Sequence, residues 1–232
     1  WMRLYPNYKV NPIDVKDLFD AEKMLFGIHS TNGELIIPSQ YFALHHSTFL
    51  DILAGFFYLC WIPVPLGFAI YLYLKGNKKG YIQFSIAFLF VNLLGFCGYY
   101  IHPAAPPWYA LQYGFEPILN TPGNTAGLER FDQLTGIGIF KMLYGKNANV
   151  FAAVPSLHAA YMLITKQNKI TCISFAFICA GIWFTAVYSS HHYIIDVLLG
   201  IAVTLLGVAL WSLFINRTAV GKNFIARYID NI

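Results

Sequence analysis

The chain has 232 residues, 57% hydrophobic and 18% aromatic, and only 26 side chains (15 Lys+Arg, 11 Asp+Glu) are charged. At 11% charge, against roughly 25% in an ordinary soluble domain, it lacks the polar surface a water-soluble globule needs. The apolar content and the four Cys also exclude disorder, collagen and a disulfide scaffold, and the net charge of +4 is not gathered into a basic patch, so no nucleic-acid partner is expected.

In chain order, the first readable element is a capped helix over Asn11–Gly27, with Asn11 as N-cap, Pro12 in the first turn and Gly27 ending it. Its apolar residues Val15, Leu18, Phe19, Met24, Leu25 and Phe26 are interleaved with Asp14, Lys16, Asp17, Asp20 and Glu22. That pattern suits a helix lying at the membrane interface and suits a soluble packing helix equally. Five spanning segments follow, at about Phe49–Leu74, Tyr81–Ile101, Phe151–Thr165, Ile170–Tyr188 and Tyr193–Ile215. Pro63-Val64-Pro65 predicts a kink in the first. From Ile170 to Asn216 the single Lys, Arg, Asp or Glu is Asp196, between runs long enough to cross a bilayer of about 30 Å twice.

The predicted fold class is therefore all-α: a polytopic membrane helix bundle with five visible spans and an interfacial helix. Because the chain starts at Trp1 and carries no signal peptide, a sixth, N-terminal span is expected to precede it; a genuine five-span protein is the alternative. Lys75, Lys78 and Lys79, then Lys166 and Lys169, then Arg217, Lys222 and Arg227 fall in or after short loops and mark the cytoplasmic side. The expected division is an external or interfacial segment 1–48, a transmembrane catalytic bundle 49–216 including an external loop 102–150, and a cytoplasmic tail 217–232. Loop His102–Val150 holds five of the eleven prolines. Loops of that length are functional or disordered, and Trp108, Tyr109, Tyr113, Phe115, Phe131, Phe140 and Tyr144 argue for order. Cys60, Cys97, Cys172 and Cys179 lie inside apolar runs and read as packing residues.

Ionisable groups inside spans are functional candidates by default, and three qualify: His158, His192 and Asp196. His192 and Asp196 are spaced i, i+4 and share a helix face. An Asp bonded to one ring nitrogen fixes the tautomer and makes the other a better base or nucleophile. His158 follows Pro155-Ser156-Leu157, where a helix N-terminus would present free N–H groups to phosphate. Ser156 to Lys166 is roughly 16 Å of helix, which puts His158 near the plane of lipid phosphates. His29, His45 and His46 read as helix–helix hydrogen-bonding residues. A third strong metal ligand at suitable spacing is not evident.

Pro155-Ser156-Leu157-His158, followed by Tyr188-Ser189-Ser190-His191-His192-Tyr193-Ile194-Ile195-Asp196, resembles the second and third signatures of the type 2 phosphatidic acid phosphatase superfamily, Pro-Ser-Gly-His and Ser-Arg-x5-His-x3-Asp. The resemblance implies a six-helix membrane bundle working through a phosphohistidine, with His192 as nucleophile, Asp196 orienting it and His158 as acid. It implies no metal and no cofactor. Two departures stand out. Thr185-Ala186 occupies the Ser-Arg position, and the first signature, Lys-x6-Arg-Pro, survives at best as His102-Pro103 with Gly95 where Lys belongs.

A narrower likeness covers nearly the whole chain. Asn11, Asp17-Leu18, Glu22-Lys23, Leu25-Phe26-Gly27, Phe57–Pro65, Pro106-Pro107-Trp108-Tyr109, Pro122-Gly123 and Ala126-Gly127-Leu128-x-Arg130-x-Asp132 are similar to the fungal-type inositol phosphorylceramide synthases and their bacterial relatives. This implies transfer of inositol phosphate from a phosphatidylinositol-type donor lipid to a ceramide-type acceptor lipid, with release of diacylglycerol. It matches Arg130 and Lys146 to cations, which with Ser156 become candidates for binding phosphate, and it places His102, Trp108, Tyr109 and His191 in the substrate pocket. The site is expected on the non-cytoplasmic face of a bacterial inner membrane or a Golgi-type membrane. The rival readings are a lipid phosphatase, in which water replaces the acceptor, and a transporter or lipid-binding protein relaying protons. Against the last, no inverted repeat with paired broken helices is visible.

Overall fold

A bilayer offers the backbone no hydrogen-bond partners, so an apolar run crosses it as helix or closed barrel, and here the long apolar runs are helices. The computed structural model describes residues 5–147, 149–157, 169–221, 223 and 227. His158 and most of the expected span Phe151–Thr165 lie outside them. In chain order the helices are α1 Lys16–Phe26, α2 Pro38–Leu44, α3 Thr48–Leu59, α4 Pro63–Leu74, α5 Lys78–Ile101, α6 Pro107–Tyr113, α7 Glu129–Thr135, α8 Ile139–Tyr144, α9 Lys169–Tyr188 and α10 Ile194–Arg217. Among the described residues, three are long and apolar enough to span: Lys78–Ile101, Thr171–Tyr188 and Ile194–Ile215. The pair α3 and α4 makes a fourth span if taken as one, bent by 43°. The bend comes where Pro63 and Pro65, which have no N–H to give the preceding turn, force a new helix to start. Leu66, Ile70, Leu89, Leu93, Ile173, Phe177, Leu205 and Leu206 are exposed along these helices, an apolar surface that belongs in lipid rather than water.

Helix α3 runs antiparallel to α9. Tyr188 donates to Asp51 Oδ1 (2.8 Å) at one level, the Thr185 hydroxyl reaches Ala54 O (3.2 Å) one turn further in, and Phe57 then packs on Gly181, Cys179 and Ile182. Any side chain at Gly181 would strike the Phe57 ring; small residues let apolar helices approach this closely. Helix α5 packs on α4 through Phe68, Leu72 and Phe84, and on α10 near Ile82 and Ile215. The C-terminal ends of α5 and α9 and the N-terminal ends of α3 and α10 therefore share one end of the bundle. Lys75, Lys78, Lys169 and Arg217 lie at the other end.

That first end carries a cap. Helix α1 begins at Lys16, later than the sequence suggests, because Asp14 rather than Asn11 satisfies its first turn. Asp14 Oδ1 accepts the N–H groups of Asp17 (3.1 Å) and Leu18 (3.3 Å), and Asn11 donates instead to Tyr100 O (2.7 Å). Gly27 ends the helix as expected. A two-residue hairpin pairs β1 (Ile28–His29) with β2 (Leu35–Ile36), a strand signal too short to read in advance. The 102–150 loop is ordered, as its aromatic content predicts, and folds into α6, α7, α8 and a 3₁₀ turn at Ala126–Leu128.

Residues 151–157 depart from the expected span, since they form no helix. Ala104 is bridged in parallel to both Asp14 and Ala152, which ties the N-terminal segment, the chain leaving α5 and this stretch into one ladder. Pro155 supplies no N–H and biases Val154 toward an extended conformation. Val15, Leu18, Phe19, Trp108, Phe151 and Tyr193 close the core of the cap.

Candidate active site

The loop joining α9 to α10 folds back on itself. Ser189 N–H donates to Thr185 O (2.8 Å), and the N–H groups of His191 and His192 both reach Ala186 O at 3.0 Å. Ser190 turns the chain with φ +61°, a left-handed conformation costing a side-chain-bearing residue roughly 1–2 kcal/mol; its carbonyl is held by the Trp108 N–H at 3.0 Å. The next helix starts at once. Asp196, in its first turn, accepts the Tyr193 N–H on Oδ2 at 2.9 Å, and the same oxygen lies 3.5 Å from His192 Nδ1. The i, i+4 pair read from sequence is thus brought together, with Asp196 fully buried, but not on one helix face as expected: His192 lies in the loop ahead of the Tyr193 N-cap, and only Asp196 is helical.

Burial pushes the His192 imidazole down to about 4, opposed by a hydrogen bond to the Ala153 backbone. The ring is therefore neutral at pH 7, the form in which it has a lone pair to attack with. The segment beneath is pinned to the same helix: Ser156 N–H donates to Asp196 O (3.0 Å), and Ser156 O sits where a side chain at position 200 would be, 1.9 Å from a Cβ built on Gly200. Only glycine admits this crossing.

The first two N–H groups of α10 have no partner within the helix and are taken by a residue far away in sequence. Glu22, fully buried on α1, accepts Ile194 N–H at 2.9 Å and Ile195 N–H at 3.2 Å. Burial raises its pKa, with the two backbone bonds opposing and the nearby Asp196 adding. Asn7 performs a similar service. Its amide donates to Tyr99 O and Phe151 O, both at 2.8 Å, and accepts from Asn149 Nδ2 at 2.6 Å. Neither role is legible in the sequence: Glu22 figures there only in the shared Glu22-Lys23 pair, and a Glu on an amphipathic helix reads as its wet face.

A cavity of 250 Å³ opens beside His192, walled by Trp108, Tyr58, Tyr99, Tyr144, Asn147 and His191 among others. His191 meets Ser189 Oγ at 3.0 Å and Asn124 O at 3.3 Å, with its ring 4.4 Å from that of Tyr144. Tyr144 donates to the Tyr58 hydroxyl (2.9 Å), and burial holds its own hydroxyl well above the usual phenol range, hence neutral.

The other sequence candidates fall elsewhere. His102 is half-exposed, 3.2 Å from Asp14 Oδ2, and does not line the cavity. Tyr109 is buried behind the wall, donating to Glu116 O (2.9 Å) and accepting the Ile118 N–H (2.6 Å). Lys146 is exposed in the turn after α8. Arg130 Nε donates to Asp51 Oδ1 at 2.6 Å, and its guanidinium lies over the Tyr188 ring at 5.2 Å. Its Nη2 is buried with no hydrogen-bond partner among the described residues. Gly127, three residues before Arg130, donates to Ser189 O (3.0 Å). Arg130 thus stands beside the loop whose own signature Arg is replaced by the buried Ala186. His158 lies outside the described residues.

A family model described as the PAP2 superfamily matches residues 31–210. Over its whole length the chain is 56% identical to a phosphoinositol dihydroceramide synthase of Bacteroides thetaiotaomicron, covering 78% of that protein. It is 31% identical, over 86% of its length, to the inositol phosphorylceramide synthase catalytic subunit AUR1 of Saccharomyces cerevisiae. To the inositol phosphorylceramide synthase of Candida albicans it is 28% identical over 88%. It spans about half the length of these two fungal proteins, 51% and 45%. No solved structure matches the chain.

Proposed function

The chain belongs to the PAP2 superfamily, and from that premise we propose that it is a membrane phosphotransferase which moves inositol phosphate from phosphatidylinositol to the hydroxyl of a ceramide-type lipid. The observation that carries this reading is the buried His192–Asp196 pair on the wall of a head-group-sized cavity, in a chain so similar to a phosphoinositol dihydroceramide synthase.

In the first half-reaction the neutral His192 ring attacks phosphorus. The bond from phosphorus to the diacylglycerol oxygen breaks, and His158 protonates the departing alkoxide. In the second, His158, now a base, takes the proton of the acceptor hydroxyl, whose oxygen displaces His192 from the phosphohistidine. Acid–base assistance of this kind is worth typically 10²–10⁴-fold. Asp196 stabilises the proton on the His192 nitrogen facing it, and Glu22 and Ser156 hold the helix turn that presents the pair. Arg130, with its unmet Nη2 beside the catalytic loop, supplies positive charge to the transferring phosphoryl group.

The site sits at the bundle end opposite Lys75, Lys78, Lys169 and Arg217. Cations in short loops mark the cytoplasmic side, so the reaction takes place at the non-cytoplasmic face. The test offers labelled phosphatidylinositol and dihydroceramide together to the purified protein. The expected product is a new inositol phospholipid, formed with wild type and absent with His192→Ala. Release of water-soluble inositol phosphate without a new lipid would mean that water is the acceptor and would overturn the transferase reading.

A further inference from the structure

The cavity beside His192 is small. Its 250 Å³ lies below the roughly 300–1,000 Å³ of sites for drug-sized ligands, a volume that suits one head group. Its described lining includes the rings of Tyr58, Tyr99, Trp108 and Tyr144 and the amides of Asn147 and Asn149, but no Asp, Glu, Lys or Arg. A head group carrying an ammonium or a carboxylate would find no opposite charge there. A neutral polyol needs none: its C–H faces lie against aromatic rings, and its hydroxyls need only donors and acceptors.

The two amides are not equivalent. Asn149 is committed to the fold, donating to Asn7 Oδ1 (2.6 Å) and accepting the Phe151 N–H (3.0 Å). Asn147 accepts one N–H, from Asn149 at 3.3 Å, and its side-chain NH₂ is left without an acceptor among the described residues. The Tyr144 hydroxyl spends its proton on Tyr58, so its oxygen remains an acceptor. One wall of the cavity thus offers an acceptor and a donor, the complement of two neighbouring ring hydroxyls.

We propose that Tyr144 and Asn147 determine head-group specificity by reading the inositol ring, Tyr144 Oη accepting from one ring hydroxyl and Asn147 Nδ2 donating to another. The assignment rests on the transferase reading given above. Four aromatic rings also resemble a cage for quaternary ammonium, and the hydroxyl of Tyr144 separates the two ideas: Tyr144→Phe keeps the ring face and removes the acceptor.

The experiment measures initial rates in detergent–lipid micelles with phosphatidylinositol and dihydroceramide varied separately, for wild type, Tyr144→Phe and Asn147→Ala, with melting temperatures taken alongside. One lost hydrogen bond to the ligand predicts that KM for phosphatidylinositol rises about tenfold in each variant, with KM for dihydroceramide unchanged. The melting temperature is unchanged in Asn147→Ala and falls by only about 2–4 °C in Tyr144→Phe, which also loses the bond to Tyr58. Excess phosphatidylcholine should not compete with the donor in wild type. An unchanged donor KM in both variants would overturn the seat. So would a parallel rise in both KM values, which marks a structural effect, or strong competition by phosphatidylcholine with Tyr144→Phe behaving as wild type, which marks an ammonium cage. A wild type that makes no inositol phospholipid would instead sink the transferase reading itself.

Discussion

Replacing Glu22 by Gln tests whether α10, which carries Asp196, is held from outside its own sequence. The wild-type carboxylate occupies the N-terminus of α10 with both oxygens, at 2.9 and 3.2 Å from two backbone nitrogens. In Glu22→Gln one oxygen remains, and an NH₂ group is turned against the other N–H. The variant loses one charge-assisted hydrogen bond, about 1.5–3 kcal/mol, and the attraction of a negative charge for the helix N-terminus, about 0.3–2 kcal/mol. Against this, the variant no longer buries a charge, and the raised pKa of Glu22 shows that burial outweighs its two backbone bonds. The net expectation is a destabilisation of about 2 kcal/mol. At roughly 2–4 °C per kcal/mol for a chain of this size, the melting temperature in detergent falls by about 4–8 °C. Turnover, measured well below the new midpoint, falls about tenfold or more, because the turn that starts at Ile194 sets the position of Asp196 against His192 and small misplacements are costly. The sign with pH follows as well. A carboxyl whose folded pKa is raised binds a proton more readily in the native state, so this contribution to wild-type stability declines as pH rises from about 4.5 through the folded value and is missing from the variant. A melting temperature within 1 °C of wild type together with turnover within twofold would refute the reasoning.

Three further outcomes are expected. His192, held at about 4 in the fold against 6.5 when unfolded, contributes on the order of 3 kcal/mol of stability that is present above pH 6.5 and lost as pH falls towards 4. Wild type but not His192→Asn should show this acid slope in detergent melts, and equal slopes would refute it. Arg130→Ala leaves the buried Asp51 without its cation and should destabilise by about 3–5 kcal/mol, with Asp51→Asn in the same chain recovering part of the loss; a melting temperature unmoved by Arg130→Ala would refute the pairing. Trp108, on the cavity wall and holding Ser190 O through its backbone N–H, should shield the proposed phosphohistidine from water. Trp108→Ala should therefore raise the ratio of released inositol phosphate to new sphingolipid, and an unchanged ratio would sink the shielding role.

Much of the molecule is written in local sequence. Apolar runs become helices because a bilayer leaves the backbone no alternative, Pro63 and Pro65 break the first of them, and Asp196 lies close enough in sequence to fold back from the first turn of α10 onto the residues just ahead of it, Tyr193 and His192. The order of the 102–150 loop could be read from its aromatic residues. Sequence misleads where a local signal has competitors: Asn11 is as good a cap as Asp14 until Tyr100 O claims its amide, and Pro155, which could open a helix, instead sits in a bend of the non-helical stretch 151–157. What lay beyond sequence is whatever joins distant segments. Glu22 lies 172 residues from Ile194, Asn7 lies 144 from Phe151, Arg130 turns to Asp51, and Tyr144 closes on Tyr58 to wall the cavity. None of these pairs has a spacing or period to betray it, because such contacts depend on how the helices pack and on which buried polar groups are then left needing partners. The sequence alone determined that this is a membrane helix bundle with a His–Asp pair near one end. Tertiary packing decided which residues hold that pair in place and which wall the cavity beside it.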